Sequence, residues 1–491
     1  MLPTKKLAFT NSPFYPSINS YISKNIKKEK IEMRVIRPTT QIMALGDAIA
    51  EIAKSHGLNI NYFNINRDGD YQSYYEIKHK HPKDHIAIWN YVSAVRKHTA
   101  QTLPFSDMQG NSCRFNHTPL MGSVISQVDR KVTHAGVMET LTSMIGHSFI
   151  LDDLENIESI SSSQLEGAVT TTKVALEMLQ TKRTPRDDSE RMIARNHDLM
   201  QKLPDTLGQE LSPSFILSLH NIATKGINDS EYYPGQLRTR DDIVVADSVT
   251  GEIIHQPIAH TELYDKLSEL CEWANTPHHT MNGPDYIHPL VKACILHFMI
   301  GWLHPFTDGN GRTARGLFYW YMLKMGYTGF KYISISKYMK RSATSYAAAY
   351  LNSEYDQFNI TYFIDYHLKQ VQHAIAGFLD KLQEQSKTIE YLHDQFRGNP
   401  IFSDLNHRQR KIAAFGMIRS GEQFSISSIA TRFNIAYNTA KNDLEMLCKA
   451  KIFKNANESD QAMYLTPKSV SQLEQWLQDN PDNPPPKATN W

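Results

Sequence analysis

A run of apolar residues from Leu290 to Leu303, stopped by His304-Pro305, constrains this chain more than any other stretch. Val291, Cys294, Ile295, Phe298, Met299 and Trp302 fall on more than one face of a helix, so that helix is expected inside a core. Pro305 disfavours helical backbone at the residue before it, so the helix should end at His304 and leave the imidazole at its mouth. Gly309 and Gly311 follow, each free to take positive φ and let a ligand approach the backbone. A second helix is expected from near Arg312 through Leu317, Phe318 and Met322 to a stop at Gly326. A glycine-rich loop that opens a helix points N–H groups at an anion, and the helix dipole adds to the attraction. Arg312 and Arg315 lie one turn apart on one face, which suits a polyphosphate. Asp308 is a hard oxygen donor beside that anion, the ligand type that Mg²⁺ takes. A histidine after an apolar helix is often structural, and Gly-Asn-Gly is often a turn. Their order within the twelve positions His304–Arg315 is what argues for chemistry.

The stretch resembles the signature of Fic-domain proteins, His-Pro-Phe-x-(Asp/Glu)-Gly-Asn-Gly-Arg-x-x-Arg, at every fixed position. The resemblance implies transfer of AMP from ATP to a Ser, Thr or Tyr hydroxyl of a target protein, or of the chain itself. It implies His304 as the base, Asp308 as the Mg²⁺ ligand, and Gly309, Asn310 and Gly311 around the α-phosphate. Arg312 and Arg315 would hold the outer phosphates. Related branches with altered motifs phosphorylate or transfer phosphocholine, and the intact Asp308, Gly309 and Gly311 favour nucleotidyl transfer. An aromatic residue after the second helix holds adenine in the family, and Tyr346 is the candidate here, with a core tyrosine as the plainer explanation.

Ahead of that region, Ser162 and Glu166 are expected one turn apart on one face of a short helix. Gly167 should end it and Thr170 should cap the next. Alone, this pattern is a solvated helix face. Beside the signature it resembles the inhibitory motif (Ser/Thr)-x-x-x-Glu-(Gly/Asn). The resemblance implies that Glu166 pairs with Arg315, takes the place of the γ-phosphate and leaves the α-phosphate of ATP out of line. In related proteins the same Glu positions a water that hydrolyses the AMP–protein ester, so removal of AMP is the alternative activity.

The remaining chain sets the frame. Its 491 residues are enough for two to four domains. A net charge of +1 gives no whole-chain argument for nucleic acid or membrane. Cys113, Cys271, Cys294 and Cys448 form no metal pattern and read as free thiols of a reducing compartment. The absence of an apolar span and of a signal-peptide pattern leads to the expectation of a cytoplasmic protein with no membrane partner. A homodimer stays open.

Residues 1–124 give no chemistry. They hold a solvated arm with Lys24, Lys27, Lys28, Lys30 and Arg34, helices at Ile42–Ala53 and Ile86–Thr99, and a short strand at Tyr71–Ile77. The Fic core is expected over 125–392, beginning with a helix at Val137–Leu151 and closing in a polar linker at Lys381–Asp394. Within it, Ile243-Val244-Val245 and Ile253-Ile254-His255 read as a hairpin about Asp247–Gly251. In the family such a flap clamps the target by main-chain pairing, which implies target contacts at Ile253, Ile254 and His255.

Helices at Asn406–Ile418, Ile426–Phe433 and Tyr437–Ala450, with a break at Gly421 and strands at Lys451–Phe453 and Met463–Leu465, resemble a winged helix-turn-helix over 393–468. Tyr437, Asn438, Lys441 and Asn442 would be its DNA-reading face, interrupted by Asp443 and Glu445. Residues 469–491 read as a flexible tail. The fold class is mostly α: a Fic helical core with a β-hairpin flap and a C-terminal winged helix. A rival from another class is a DNA-binding regulator whose Fic core only senses nucleotide.

Overall fold

The structure, a computed structural model, describes residues 35–38, 42–56, 71–137, 152–227, 233–246, 253–280, 285–396, 402–418, 424–433, 435–455 and 463–465, with single positions at 472, 475 and 478. The basic arm, the helix expected after Val137, the turn at 247–251, Gly421 and nearly all of the tail lie outside the described residues. Contacts divide the described residues into two compact units, one taking those of 1–137 and 153–375, the other those of 138–152 and 376–491. Helices dominate both. Among the described residues no helix is long and apolar enough to cross a membrane.

In the first unit α1 (Leu45–His56), α2 (Tyr74–Lys80) and α3 (His85–Thr99) share a cluster built on Ile52, Tyr74, Ile77, Ile88 and Trp89. The strand expected at Tyr71–Ile77 is instead the start of α2. Ser73 accepts from Glu76 N while the Glu76 carboxylate takes the Ser73 N–H, and this capping box outweighs the strand-favouring tyrosines. Next come the antiparallel strands β1 (Gln101–Ser106) and β2 (Ser112–Phe115). Asp107 organises their turn by accepting the Gln109 and Asn111 N–H groups. Helix α4 (Pro119–Lys131) opens on a Thr118 cap with proline in its first turn.

Helix α5 (Asp152–Leu165) is longer than expected, and Gly167 follows its end at φ 102°. Thr171, not Thr170, caps α6 (Thr172–Thr181), accepting from Val174 N at 3.4 Å. Helices α7 (Asp188–Lys202) and α8 (Pro213–Thr224) follow, then β3 (Val245–Ala246) paired antiparallel with β4 (Ile253–His255), then α9 (Leu263–Asn275).

At the centre are α10 (Pro289–Leu303) and α11 (Asn310–Lys324). Every residue of α10 except Gly301 is buried, and each Leu, Ile or Phe so placed contributes about 1.5–3 kcal/mol. Lys292 is buried too. It satisfies its ammonium on Thr276 O at 2.6 Å and His278 Nδ1 at 2.8 Å, and burial brings its pKa down to about 7. Gly326, at φ 87°, ends α11 as expected.

Helices α12 (Ser336–Arg341), α13 (Ala343–Tyr355) and α14 (Thr361–Phe396) complete the sequence. The polar linker expected at Lys381–Asp394 is instead part of α14. Lys, Glu and Gln are good helix formers, no Gly or Pro interrupts them, and Leu382, Leu392 and Phe396 are buried.

The second unit holds the part of α14 from Ala376 on, α15 (His407–Ile418), β5 (Phe424–Ser425), α16 (Ile426–Arg432), α17 (Tyr437–Lys449), β6 (Lys454–Asn455) and β7 (Met463–Leu465). The strands form one antiparallel sheet in the order β5-β7-β6. The strand expected at Lys451–Phe453 begins three residues later. Lys451 turns in the left-handed region at φ 57°, and Ile452 and Phe453 are buried. Asp443 faces inward and accepts from Arg408 and from Gln409 Nε2, so it does not interrupt the exposed face of α17.

Candidate active site

His304 caps α10 in the left-handed region, at φ 47° and ψ 57°. The following proline excludes a right-handed turn there, and a non-glycine residue so placed costs about 1–3 kcal/mol. Arg238 holds the strained segment. Its backbone N–H donates to Pro305 O at 2.9 Å and its Nε to His304 O at 3.0 Å. The rest of its buried guanidinium is fixed by Arg240 O, Asp241 Oδ1 and Ile258 O. The His304 ring turns Nδ1 to Gly301 O at 3.3 Å, which leaves Nε2 as the bare nitrogen. Burial, with a further contribution from nearby His255, lowers its pKa to about 4, so the ring is neutral at pH 7.

The loop after His304 is closed by its own side chains. Asn310 accepts from Phe306 N at 2.9 Å and donates to Phe306 O at 2.8 Å. These two bonds brace the loop and leave the second N–H of the carboxamide for another acceptor. Phe306 is fully buried and stacks on His220, with ring centroids 3.7 Å apart. His220 Nδ1 accepts the Gly235 N–H at 3.0 Å, so its Nε2 is the donor and meets Asp308 O at 2.9 Å. Sequence reasoning missed His220. The available signal was a lone imidazole on the apolar face of α8 shared by Ile216 and Ala223.

Helix α11 starts at Asn310, earlier than the expected Arg312, with Gly309 before it at φ 79°. Gly311 is not among the positive-φ glycines, so its role differs from the one expected. It supplies space: a Cβ there would lie 2.2 Å from Glu166 Oε1 and 2.9 Å from Arg315 Nη1. Asp308 accepts from Gly309 N at 2.6 Å and faces Arg312 Nη2 at 3.6 Å. Arg312 is fully buried and donates to Ala223 O at 3.0 Å.

Arg315 is also buried, and the expected partner Glu166 comes to it together with Ser162. Its Nε donates to Ser162 Oγ at 2.7 Å, and its Nη2 to Ser162 O at 3.2 Å and Glu166 Oε1 at 2.8 Å. Glu166 stands one residue past the end of α5. That helix is anchored at three further points. The Glu158 carboxylate accepts from Ser334 Oγ at 2.8 Å, Ser336 N at 3.1 Å and Ser336 Oγ. Gln164 accepts from Lys340 Nζ at 2.6 Å, and Asn196 donates to Ser159 O at 3.0 Å.

Tyr346 is packed in the core with its hydroxyl 3.0 Å from His297 Nε2. Ile253 on β4 is 61% exposed, whereas His255 turns inward, its Nε2 on Trp302 O at 2.8 Å and its Nδ1 2.7 Å from Glu354 Oε1. The His255 imidazole is therefore engaged within the protein, and a contact to a target would come from its main chain. Among the described residues no group of three or more His, Cys, Asp or Glu side chains could hold a metal ion. The lone, partly exposed Asp308 carboxylate fits a cation that takes most of its ligands from phosphate and water, the habit of Mg²⁺.

A model of the Fic/DOC family matches residues 210–322, a span that runs from before α8 to the end of α11 and leaves α5 outside. The chain is 33% identical over 73 residues to a protein adenylyltransferase Fic of Nematostella vectensis, 15% of this chain and 16% of that one. It is 30% identical over 132 residues to a protein adenylyltransferase Fic of Drosophila virilis, 27% of this chain and 23% of that one. The matches thus span less than a quarter of these relatives' length. A Fic family protein from Desulfovibrio desulfuricans G20 aligns at a TM-score of 0.43 and 15% identity, over 72% of this chain and 97% of that chain. Fic-1 (residues 134–508) from C. elegans aligns at 0.40 and 17%, over 69% and 98%.

Proposed function

We propose that this chain, which carries a Fic domain at residues 210–322, transfers AMP from ATP to a hydroxyl of a target protein or of itself, and that Glu166 restrains the transfer. The observation that carries the reading is the juxtaposition at one loop of a neutral imidazole and a buried arginine already holding a carboxylate. An arginine that donates to a carboxylate donates to a phosphate through the same N–H groups.

The chemistry assigned to each residue follows. His304 Nε2 takes the proton of the target hydroxyl. The freed oxygen attacks the α-phosphorus of ATP, a P–O bond forms to the target, and pyrophosphate leaves with the electrons of the broken bond. Loop N–H groups at the start of α11 stabilise charge on the α-phosphate, and Arg312 and Arg315 hold the outer phosphates. Asp308 is the residue that would hold Mg²⁺, which would neutralise phosphate charge. With Glu166 on Arg315 the γ-phosphate loses its place, so Ser162, Glu166 and Gly167 act as a brake. The exposed edge at Ile253 is the proposed seat of the target segment.

Mass spectrometry of the Glu166→Gly protein incubated with ATP and Mg²⁺ tests this. An AMP adduct well above wild type is expected, and no increase removes the brake. His304→Ala should abolish transfer while ATP still binds. Release of AMP from a modified protein that requires Glu166 would assign the reverse reaction.

A second reading concerns residues 393–468, proposed as a winged-helix module that binds DNA. With Asp443 turned onto Arg408 and Gln409, the exposed face of α17 presents Tyr437, Asn438, Lys441 and Asn442, with Glu445 as its acid. Salt-dependent binding to a duplex, lost in Lys441→Glu, is expected; equal binding by both proteins counts against it.

A further inference from the structure

The last carbonyls of a helix have no partner within it and must find donors elsewhere. At the end of α10 one donor is the ring of His304 itself, whose Nδ1 lies 3.3 Å from Gly301 O. The next comes from the hairpin: His255 Nε2 on β4 donates to Trp302 O at 2.8 Å. Past the helix, His304 O and Pro305 O accept from Nε and the backbone N–H of Arg238, on the segment that leads into β3. Three carbonyls of the turn that carries His304 are thus held by β3–β4 and its approach.

The hairpin is closed on itself at the same point. The Arg238 guanidinium also donates to Arg240 O and Asp241 Oδ1 on the way into β3, and to Ile258 O on the way out of β4. Asp241 Oδ1 takes the His260 N–H at 2.7 Å, and its Oδ2 lies 3.0 Å from His260 Nδ1. Entry segment, exit segment and the His304 turn therefore meet at one buried guanidinium. A planar fork of donors fixes its acceptors relative to one another, which a lysine ammonium does not. The His255 ring is held from both sides as well, with Nδ1 2.7 Å from Glu354 Oε1 on α13. A hairpin that shifts must therefore carry Trp302 O and His304 O with it.

Resting on the AMP-transfer reading of the site, we infer that Arg238 and His255 are positioning residues for His304, and that they join the hairpin and the His304 turn into one rigid piece. A target segment laid on the exposed edge of β4 is then registered directly against the bare Nε2 of His304. The His255 side chain serves this coupling and not the target.

The rate of AMP incorporation by the Glu166→Gly protein over a range of ATP concentrations tests the assignment, with His255→Phe, His255→Gln and Arg238→Lys added singly to that background. Hydrogen exchange at the His304 amide is followed in each, with α11 amides as the control for global opening. The maximal rate should fall about tenfold or more in His255→Phe and Arg238→Lys, while the ATP concentration at half-maximal rate stays within about twofold. His255→Gln keeps a donor for Trp302 O and should recover most of the rate. The His304 amide should exchange about tenfold faster in His255→Phe, and α11 amides should not. An unchanged maximal rate or unchanged His304 exchange overturns the inference. So does loss of rate and of ATP affinity together in His255→Gln and Arg238→Lys, the mark of a merely structural bond. If the Glu166→Gly protein neither incorporates AMP nor cleaves ATP to AMP, the reading of the site itself has failed and this assignment goes with it.

Discussion

At the scale of single residues, Gly311 and Glu166 make the sharpest pair. The space a Cβ would need at 311 is taken by Glu166 Oε1 and Arg315 Nη1. Gly311→Ala should therefore cost about 1–3 kcal/mol in the wild-type protein, the usual penalty of overpacking. It should cost measurably less in Glu166→Gly, where one of the two obstructing groups is gone, and a double-mutant cycle of thermal unfolding reads the coupling. Glu166→Gly alone leaves Arg315 buried without its counter-charge, so it should lower the melting temperature, and saturating ATP should restore it. A melting temperature indifferent to ATP would mean that the vacated site does not take the nucleotide. For His304 the expectation concerns pH. The ring must be neutral to accept a proton, so activity falls as pH drops through its pKa, which burial lowers to about 4 in the free protein. kcat/KM for ATP should then show no His304 limb near pH 6.5, and the kcat limb should lie higher than the kcat/KM limb, because bound triphosphate favours imidazolium.

At the scale of elements, α5 is tied down by a carboxylate that is costly to bury. Burial raises the pKa of Glu158, and three donors from Ser334 and Ser336 offset that cost. Glu158→Ala should loosen α5 and raise ATP-dependent AMP incorporation, by less than Glu166→Gly does because Ser162 and Gln164 still hold. Incorporation no higher than wild type would separate the anchor from the restraint. The same helix shows what could be read beforehand and what could not. Ser162, Glu166, His304 and Arg315 were legible through their resemblance to two family motifs, with local rules giving only the one-turn spacing of Ser162 and Glu166 and the helix stop before Pro305. Glu158 was not, since nothing near it in sequence says that Ser334 and Ser336 will receive it. His220 was hidden for the same reason, acting on Asp308 across 88 positions. Composition misled where local rules competed: the polar stretch at Lys381–Asp394 lacks any helix breaker and stays helical, and Ser73 with Glu76 turns an expected strand into α2.

At the scale of the whole molecule, the first unit stores several imidazoles in its interior. Burial lowers His220 to about 4 and His367 to about 3, and holds His297 well below its ordinary value. Each is lower folded than unfolded, so each contributes stability in full above about pH 6.5 and loses it as pH falls toward the folded value. Between pH 7 and pH 5 the loss should be on the order of 2 kcal/mol per ring, read from urea midpoints followed by tryptophan fluorescence. Equal midpoints at the two pH values would show that the rings titrate as they do in water. His304 belongs to the same set by burial, although its role is chemical. The reactive ring and its supporting rings therefore share one tolerance for acid. Acid would reach the fold first, through the buried rings, before it reached the pKa of the reactive His304 itself.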